Sequence, residues 1–275
     1  MMFLKAENLS KSFDKNKKAL DNINIELKTK KLCLLGQNGS GKTTFLSIIA
    51  GLISPSHGEL FINGIEPYKK REETLKSASF IFEKPKFIYR MRVSEFIDFV
   101  LGNNDLNPDD SIYKSNISGF SKKRLFELSA GETQLLTIFS AFSSKNSMII
   151  ADEPFTHIDI SRVGIMINNM QEMDKDLIFS THLPDEAEAI GDYIIIFNDG
   201  KLIWHGTSEN LYNSNIFEVF LIRGIKINLN YLFRYGNIAL IESNMKTLTN
   251  LLESGKIIGF KKSGVRRIYE YNKTN

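Results

Sequence analysis

Cysteine is almost absent: the 275 residues include a single one, which excludes a disulfide framework. This residue, Cys33, stands in an apolar run and is expected to be an unreactive core residue. No apolar run approaches the ~20 residues that a membrane-spanning helix needs, so we expect any membrane path to belong to another polypeptide. Charged residues follow the first four residues directly, and no signal peptide is expected. The formal net charge of +3 is too small to indicate a nucleic acid partner.

The most specific pattern is the glycine-rich segment at residues 36–44, GQNGSGKTT, which fits G-x-x-x-x-G-K-[ST]. An apolar run precedes it and a helix-like pattern follows, as a phosphate-binding loop requires. Glycines let backbone N–H groups approach phosphate oxygens, and the helix N-terminus adds partial positive charge. Lys42 is expected to reach the β- and γ-phosphates and Thr43 to hold Mg²⁺. The predicted nucleotide-binding residues here are Gly36, Gln37, Asn38, Gly39, Ser40, Gly41, Lys42, Thr43 and Thr44.

Two carboxylates end an apolar strand predicted at residues 148–151. Asp152 is placed to hold the Mg²⁺ shell, and Glu153 to polarise an attacking water as general base. An isolated Asp-Glu pair is more often a solvated strand end. After a phosphate loop the catalytic interpretation is favoured, and it predicts an ATPase.

The segment LSAGE at residues 128–132 resembles the L-S-G-G-Q signature of ABC (ATP-binding cassette) transporter ATP-binding subunits, and the motif order agrees over about residues 1–211. The resemblance implies that Phe13 stacks on adenine, that residues 156–159 cross a dimer interface, and that His182 contacts the γ-phosphate. It also implies that a second cassette's nucleotide is bound by Ser129, Ala130, Gly131 and Glu132. No N-K-x-D segment is present, which disfavours a GTPase.

Three residues depart from the family pattern. Glu83 stands where the family has Gln, and its carboxylate could either bind Mg²⁺ directly or repel the γ-phosphate. Ala130 replaces Gly, which costs little if its φ is negative and more if φ is positive. Glu132 replaces Gln. Together these departures favour slow or asymmetric hydrolysis, and pairing with a second, different cassette is one arrangement that they are compatible with.

The order of apolar segments predicts an α/β fold with a mainly parallel central sheet and an antiparallel β subdomain. The resemblance implies that this fold is a P-loop NTPase cassette with a helical subdomain, followed by a small C-terminal extension. We expect the nucleotide-binding domain at residues 1–210, with its helical subdomain at about 85–128, and the extension at 211–275. Residues 217–221 resemble the short helix that ends many exporter-type cassettes. Beyond them a strand–helix–strand unit is predicted at 238–242, 245–253 and 267–271. The basic pairs 261–262 and 266–267 are expected to face solvent.

The resemblance implies a subunit that binds MgATP between two cassettes, as a homodimer or as a heterodimer with a second ABC ATPase. Hydrolysis would drive a separate membrane-spanning permease from the cytoplasmic face of the membrane, with export favoured. The implied cofactors are ATP and Mg²⁺. One alternative is a non-transport ABC-type ATPase of DNA repair, translation or cluster assembly, although the chain lacks a long coiled-coil insertion or a second cassette. The other is a cassette that binds ATP mainly as a regulatory clamp.

Overall fold

The computed structural model describes residues 1–14, 17–82, 90–104, 117–207, 209–210, 215–223 and 231–274. Its strands are β1 (Met2–Ser12), β2 (Lys18–Thr29), β3 (Lys31–Gly36), β4 (His57–Ile62), β5 (Ala78–Ile81), β6 (Met148–Ala151), β7 (Asp176–Thr181), β8 (Tyr193–Asn198), β9 (Lys201–Thr207), β10 (Ile216–Leu221), β11 (Tyr231–Tyr235), β12 (Ile238–Glu242) and β13 (Ile257–Lys262). Its α-helices are α1 (Lys42–Ile49), α2 (Arg71–Ser77), α3 (Val93–Asn104), α4 (Ala130–Phe142), α5 (Ile160–Glu172), α6 (Pro184–Ile190), α7 (Met245–Glu253) and α8 (Val265–Thr274).

A six-stranded sheet in the order β5-β6-β7-β3-β8-β9 forms the centre of the molecule. All neighbouring strands are parallel except β9, which runs antiparallel to β8. Every residue of β3 and β6 is buried, as expected for strands covered on both faces. The prediction of a mainly parallel sheet is therefore confirmed. The carboxyl ends of β3, β6 and β7 lie side by side at one edge of this sheet.

A three-stranded antiparallel sheet, β2-β1-β4, packs beside the central sheet. On β2, Ile23, Ile25 and Leu27 are buried while Asn24 and Glu26 are exposed, so one face of the strand packs on the core and the other faces solvent. The buried face joins the apolar side of α1 in one hydrophobic cluster. This packing fixes α1, and with it the glycine-rich loop before it, between the two sheets.

The described part of the predicted helical subdomain contains α3, which begins at Val93, and two 3-10 turns at Ser118–Phe120 and Leu125–Glu127. Backbone hydrogen bonds tie these parts together. The N–H of Val93 donates to the carbonyl of Lys123 at 2.9 Å, and the N–H of Leu125 donates to the carbonyl of Met91 at 3.1 Å. Val93 and Leu125 are buried in the same core cluster as α4.

The C-terminal extension is a four-stranded antiparallel sheet in the order β11-β12-β10-β13, with α7 and α8. Two predictions were wrong here. Residues 217–221 belong to the strand β10, because alternate residues cover opposite faces and the segment hydrogen-bonds to both β12 and β13. Residues 267–271 lie in α8, where Val265 and Ile268, three residues apart, are both buried. The strand after α7 is β13 instead; β12 and α7 match their predicted ranges.

The extension shares its core with the cassette. Val265 and Ile268 of α8 and Leu240 of β12 belong to the main hydrophobic cluster, and α8 packs on α6. Arg267 was expected to face solvent, but its side chain is only 16% exposed and its Nη2 lies 3.2 Å from Oε1 of buried Glu218. The reason is that a buried carboxylate needs a cationic partner. Within the described ranges, no helix is both long and apolar enough to cross a membrane.

Candidate active site

The loops that follow β3, β6 and β7 meet at the carboxyl edge of the central sheet. β7 lies between β3 and β6, and its parallel register places Leu35 beside Thr181. In parallel α/β sheets, ligands bind at this edge. The predicted residues Lys42, Asp152, Glu153 and His182 are thereby brought together from three separate parts of the sequence.

At two positions of the glycine-rich loop between β3 and α1, the backbone conformation itself favours glycine. Gly39 has φ +83° and Gly41 has φ +110°, which side-chain-bearing residues rarely adopt. At Gly41 a Cβ would also lie 2.8 Å from the carbonyl oxygen of Ala19 on β2. The loop is therefore held tightly against the antiparallel sheet. Next to it, the hydroxyl of Ser40 is buried without a hydrogen-bond partner in the described structure.

Lys42, the first residue of α1, is 4% exposed. Its Nζ donates hydrogen bonds to the carbonyl oxygens of Gly36 at 2.7 Å and Gln37 at 3.1 Å. The same atom lies 3.3 Å from Oε1 of Glu153. A buried ammonium is thus held between the phosphate loop and the carboxylate after β6.

Asp152 sits beside two hydroxyl groups. Thr43 Oγ1 donates to its Oδ1 at 3.3 Å, and Ser180 Oγ donates to the same oxygen at 2.5 Å. Ser180 Oγ also accepts the backbone N–H of Glu153 at 2.9 Å. Sequence reasoning missed this role of Ser180, a fully buried residue of β7 that orients both acidic residues. The signal available in the sequence was a serine directly after the apolar residues 177–179.

Glu153 adopts the left-handed backbone conformation, with φ +46°. For a residue with a side chain this costs on the order of 1 to 3 kcal/mol, and such strain is concentrated at functional sites. Its Oε2 lies 2.8 Å from Nδ1 of His182, whose side chain is 48% exposed. The strained turn aims the carboxylate back over the phosphate loop, between Lys42 and His182.

A further carboxyl, Glu186 on α6, lies behind the histidine loop and was not predicted. Burial raises its pKa, against the opposing effect of a hydrogen bond from the hydroxyl of Thr181, and the charge of Glu153 adds to the rise. Glu186 therefore resists ionisation more than an ordinary glutamate, because its surroundings are apolar and already negative.

A cavity of about 490 Å³ opens at the phosphate loop, a size typical of small-molecule sites. Phe13, 67% exposed, lies at its wall with Lys11 Nζ 5.3 Å from the ring centroid. The cavity is lined by Phe13, Asp14, Lys17, Ala19, Gln37, Asn38, Gly39, Gly41, Lys42, Thr43, Thr44 and Glu153.

The signature residues lie in a different cleft, of about 630 Å³, which shares no lining residue with the phosphate-loop cavity. Ser129 caps the N-terminus of α4: its Oγ accepts the N–H of Glu132 at 3.2 Å, and Glu132 Oε2 accepts the N–H of Ser129 at 2.9 Å. Ala130 is the first residue of α4 and does not have a positive φ, so its replacement of glycine is unstrained. The structure does not bring this chain's signature to its own phosphate loop.

The predicted metal residues Thr43 and Asp152 are in hydrogen-bond contact, whereas Glu83 lies outside the described residues. In the part of the chain that the structure describes, no cluster of three or more His, Cys, Asp or Glu side chains is arranged to hold a metal.

A glycine-rich loop between a buried parallel strand and a helix, with an acidic pair at the end of a nearby strand, defines a P-loop nucleoside triphosphatase. The sequence model of a family described as ABC transporter matches residues 20–156. The chain belongs to this family and carries its nucleotide-binding domain.

Known proteins agree with this assignment. The spermidine/putrescine import ATP-binding protein PotA of Acetivibrio thermocellus is 28% identical over 230 residues, covering 78% of this chain and 63% of PotA. CbiO1 of Clostridium perfringens, part of an ABC transporter complex, is 24% identical with a TM-score of 0.62, covering 76% of this chain and 90% of CbiO1. A dimeric ATP-binding cassette with ADP and Pi bound is 21% identical with a TM-score of 0.62, and the match covers 74% of this chain and 98% of that cassette. At these identities the two solved structures show the fold.

Proposed function

We propose that this chain binds MgATP and hydrolyses the ATP, and that two such cassettes drive a separate membrane-spanning permease. The observation that carries the proposal is the convergence of Lys42, Glu153 and His182. Lys42 Nζ lies 3.3 Å, and His182 Nδ1 lies 2.8 Å, from the carboxylate of Glu153. A cation, a carboxylate and an imidazole beside a phosphate loop are the groups that phosphoryl transfer to water requires.

The phosphate-loop cavity fits ATP in size and chemistry. The glycine-rich backbone and the N-terminus of α1 suit phosphates, and the buried, unpaired hydroxyl of Ser40 can donate to an oxygen there. The exposed ring of Phe13 offers a face for the adenine. In this proposal Lys42 leaves the carbonyl oxygens of its own loop and donates to the β- and γ-phosphates.

Thr43 and Asp152 fit a Mg²⁺ ion. The ion would be held by the hydroxyl of Thr43 and the carboxylate of Asp152, which lie 3.3 Å apart, and this small donor set suits Mg²⁺ because it binds few protein ligands. When bound, the ion neutralises charge on the β- and γ-phosphates. Ser180 holds Asp152 in place for this role. Glu83 stays a predicted additional metal residue.

Glu153 is the proposed general base. It accepts a proton from water while the water oxygen bonds to the γ-phosphorus and the bond from that phosphorus to the bridging oxygen breaks, giving ADP and inorganic phosphate. His182 orients the carboxylate through Nδ1 and presents the rest of its half-exposed ring to the γ-phosphate. Lys42 stabilises negative charge on the phosphate oxygens as the transition state forms.

Two chains are proposed to share each site, because a single chain keeps its phosphate loop and its signature in separate clefts. A second cassette, identical or different, would bring its Ser129, Ala130, Gly131 and Glu132 over the nucleotide. The relative with ADP and Pi was solved as a dimer, which supports this arrangement.

The proposal includes a permease partner and a peripheral position on the cytoplasmic face of the membrane. It also divides the chain into a nucleotide-binding domain at residues 1–210, with a helical subdomain at about 85–128, and a C-terminal extension at residues 211–275. The preference for export is dropped, because PotA is an import protein and residues 217–221 form a strand rather than an exporter-type helix. No nucleic acid is proposed as a partner. The relatives reported above do not favour a non-transport ATPase.

Phosphate release by wild type and by Glu153→Gln tests this function. We expect Glu153→Gln to bind MgATP in calorimetry, to release phosphate at least about 100-fold more slowly, and to accumulate as a dimer in size-exclusion chromatography with ATP. Glu172→Gln, an exposed change at the end of α5, is the matched control. Wild-type turnover in Glu153→Gln would contradict the assignment of the base and make His182 the next candidate.

A further inference from the structure

The glutamate that replaces glutamine in the signature has a specific partner. Lys123 Nζ lies 2.8 Å from Oε1 and 3.0 Å from Oε2 of Glu132, so the ammonium contacts both carboxylate oxygens. The same carboxylate accepts the backbone N–H of Ser129. One side chain therefore links Lys123 to the residue that caps α4.

Lys123 is itself fixed at its backbone. Its carbonyl accepts the N–H of Val93 at 2.9 Å, and its N–H donates to the carbonyl of Phe120 at 3.0 Å. Arg92 and Arg124 form an antiparallel bridge beside it. The lysine is thus anchored to the residues that open α3, and its side chain reaches across to α4.

The charge of Glu132 matters because of where it lies. Under the proposed function, the signature of one cassette faces the triphosphate held by the other, where an unpaired carboxylate would repel the γ-phosphate. A glutamine there is neutral and can still accept the Ser129 N–H. A glutamate can do the same only if a cation neutralises it, and Lys123 supplies that cation.

We propose that Lys123 is a positioning residue for the signature: it neutralises Glu132 and holds it against Ser129, so that a second cassette's triphosphate can approach. This inference rests on the proposed function. The ion pair is half-exposed on the lysine side, and such pairs add little to folding stability. Its effect is therefore expected in assembly with nucleotide rather than in the melting temperature.

The test is a rescue cycle in the Glu153→Gln background, measured as the concentration at which MgATP drives dimerisation. We expect Lys123→Met to weaken dimerisation at least about tenfold, since a like charge is left facing the phosphates. Glu132→Gln alone should dimerise nearly as well as the background. The double variant Lys123→Met/Glu132→Gln should recover to the level of Glu132→Gln, because no charge is left to neutralise.

Four controls separate this role from a structural one. Lys122→Met changes the adjacent exposed lysine and should dimerise like the background, while Lys123→Arg keeps the cation and should do likewise. Calorimetric MgATP binding to monomeric Lys123→Met should be unchanged, because the phosphate-loop cavity contains neither residue. The melting temperatures of all variants should agree closely.

Equal dimerisation of Lys123→Met and Lys122→Met, or a double variant as weak as Lys123→Met, would overturn the role of Lys123 and leave the proposed function intact. Absence of ATP-driven dimerisation in the background and every variant would instead remove the proposed function, and this inference with it. A lower melting temperature accompanied by unchanged dimerisation would reduce the pair to a structural contact.

Discussion

Gly131, in the first turn of α4, lies directly against the carbonyl oxygen of His157. A Cβ at Gly131 would come 2.5 Å from that oxygen, closer than real Cβ atoms approach. His157 has φ +69°, so this carbonyl is aimed by an unusual backbone conformation. The signature therefore packs tightly on the loop after Glu153, and only glycine permits the contact.

Gly131→Ala should separate the start of α4 from the His157 loop. We expect a loss of about 1 to 3 kcal/mol in the free energy of unfolding, as for other overpacked sites, together with loss of ATP-driven dimerisation. Chemical denaturation and size-exclusion chromatography measure the two effects. Ala130→Gly is the matched control one residue away and should cost at most about 1 kcal/mol. Equal effects of the two changes would contradict the close packing of Gly131.

Lys42→Ala should remove most of the affinity for ATP and all turnover, since it deletes the buried cation of the phosphate loop. Calorimetry with MgATP is the direct measurement. Lys28→Ala, an exposed change on β2, should bind as wild type does. If Lys42→Ala kept both affinity and turnover, the phosphate-loop assignment would be wrong.

Glu186→Gln should change how stability depends on pH. The pKa of Glu186 is raised in the folded protein, first by burial, so the folded state holds its proton more strongly than the unfolded state does. The contribution of the protonated carboxyl to stability is complete below the unfolded pKa of 4.5 and is lost as pH rises through the raised pKa of the folded state. Each pKa unit of this shift corresponds to about 1.4 kcal/mol in the free energy of unfolding. A glutamine at this position does not ionise, so the variant does not lose this stability as pH rises.

At neutral pH, Glu186→Gln is therefore expected to melt at a higher temperature than wild type, and the difference should shrink toward pH 4. Thermal unfolding across this range measures it. Asp185→Asn, an exposed neighbour in the same helical turn, should not reproduce the pattern. A constant difference at every pH would mean that the carboxyl of Glu186 ionises normally.

Truncation after Arg223 should leave a cassette that binds ATP, because every described nucleotide residue precedes β8. It should also lower the melting temperature, since Leu240, Val265 and Ile268 contribute to the main core and α8 packs on α6. Calorimetry and thermal unfolding of soluble truncated protein test both points. Lost ATP binding would show that the extension supports the site, and an unchanged melting temperature would contradict its packing.

Local patterns predicted the cassette's scaffold but only part of the extension, namely β12 and α7. Alternation along Ile23, Ile25 and Leu27 and the apolar run of β3 identify strands without further information. In β10, the run from Phe217 to Leu221 is short, apolar and compatible with either a helix or a strand. This segment is a strand because it pairs with β12 and β13. That pairing depends on residues distant in the sequence and cannot be read from the segment itself.

The candidate active site, like the extension, could be predicted from the sequence only in part. The phosphate loop and the acidic pair have fixed spacings and could be predicted from the sequence. Ser180 touches Asp152 and Glu153 because β6 and β7 are parallel neighbours in one particular register, with Ala151 beside Phe179. The partnership of Lys123 with Glu132 likewise depends on how residues 121–125 pair with the start of α3. Contacts set by register and by packing between segments have no local signal.

The two separate clefts have a genetic consequence. If each composite site takes its phosphate loop from one chain and its signature from the other, a Lys42→Ala chain and a Gly131→Ala chain are each defective in both sites of their own homodimers. Mixed together, they place both defects in one site and leave the other with an intact loop and an intact signature. Co-expression of two inactive alleles is thus expected to restore nucleotide capture at one site in every mixed pair.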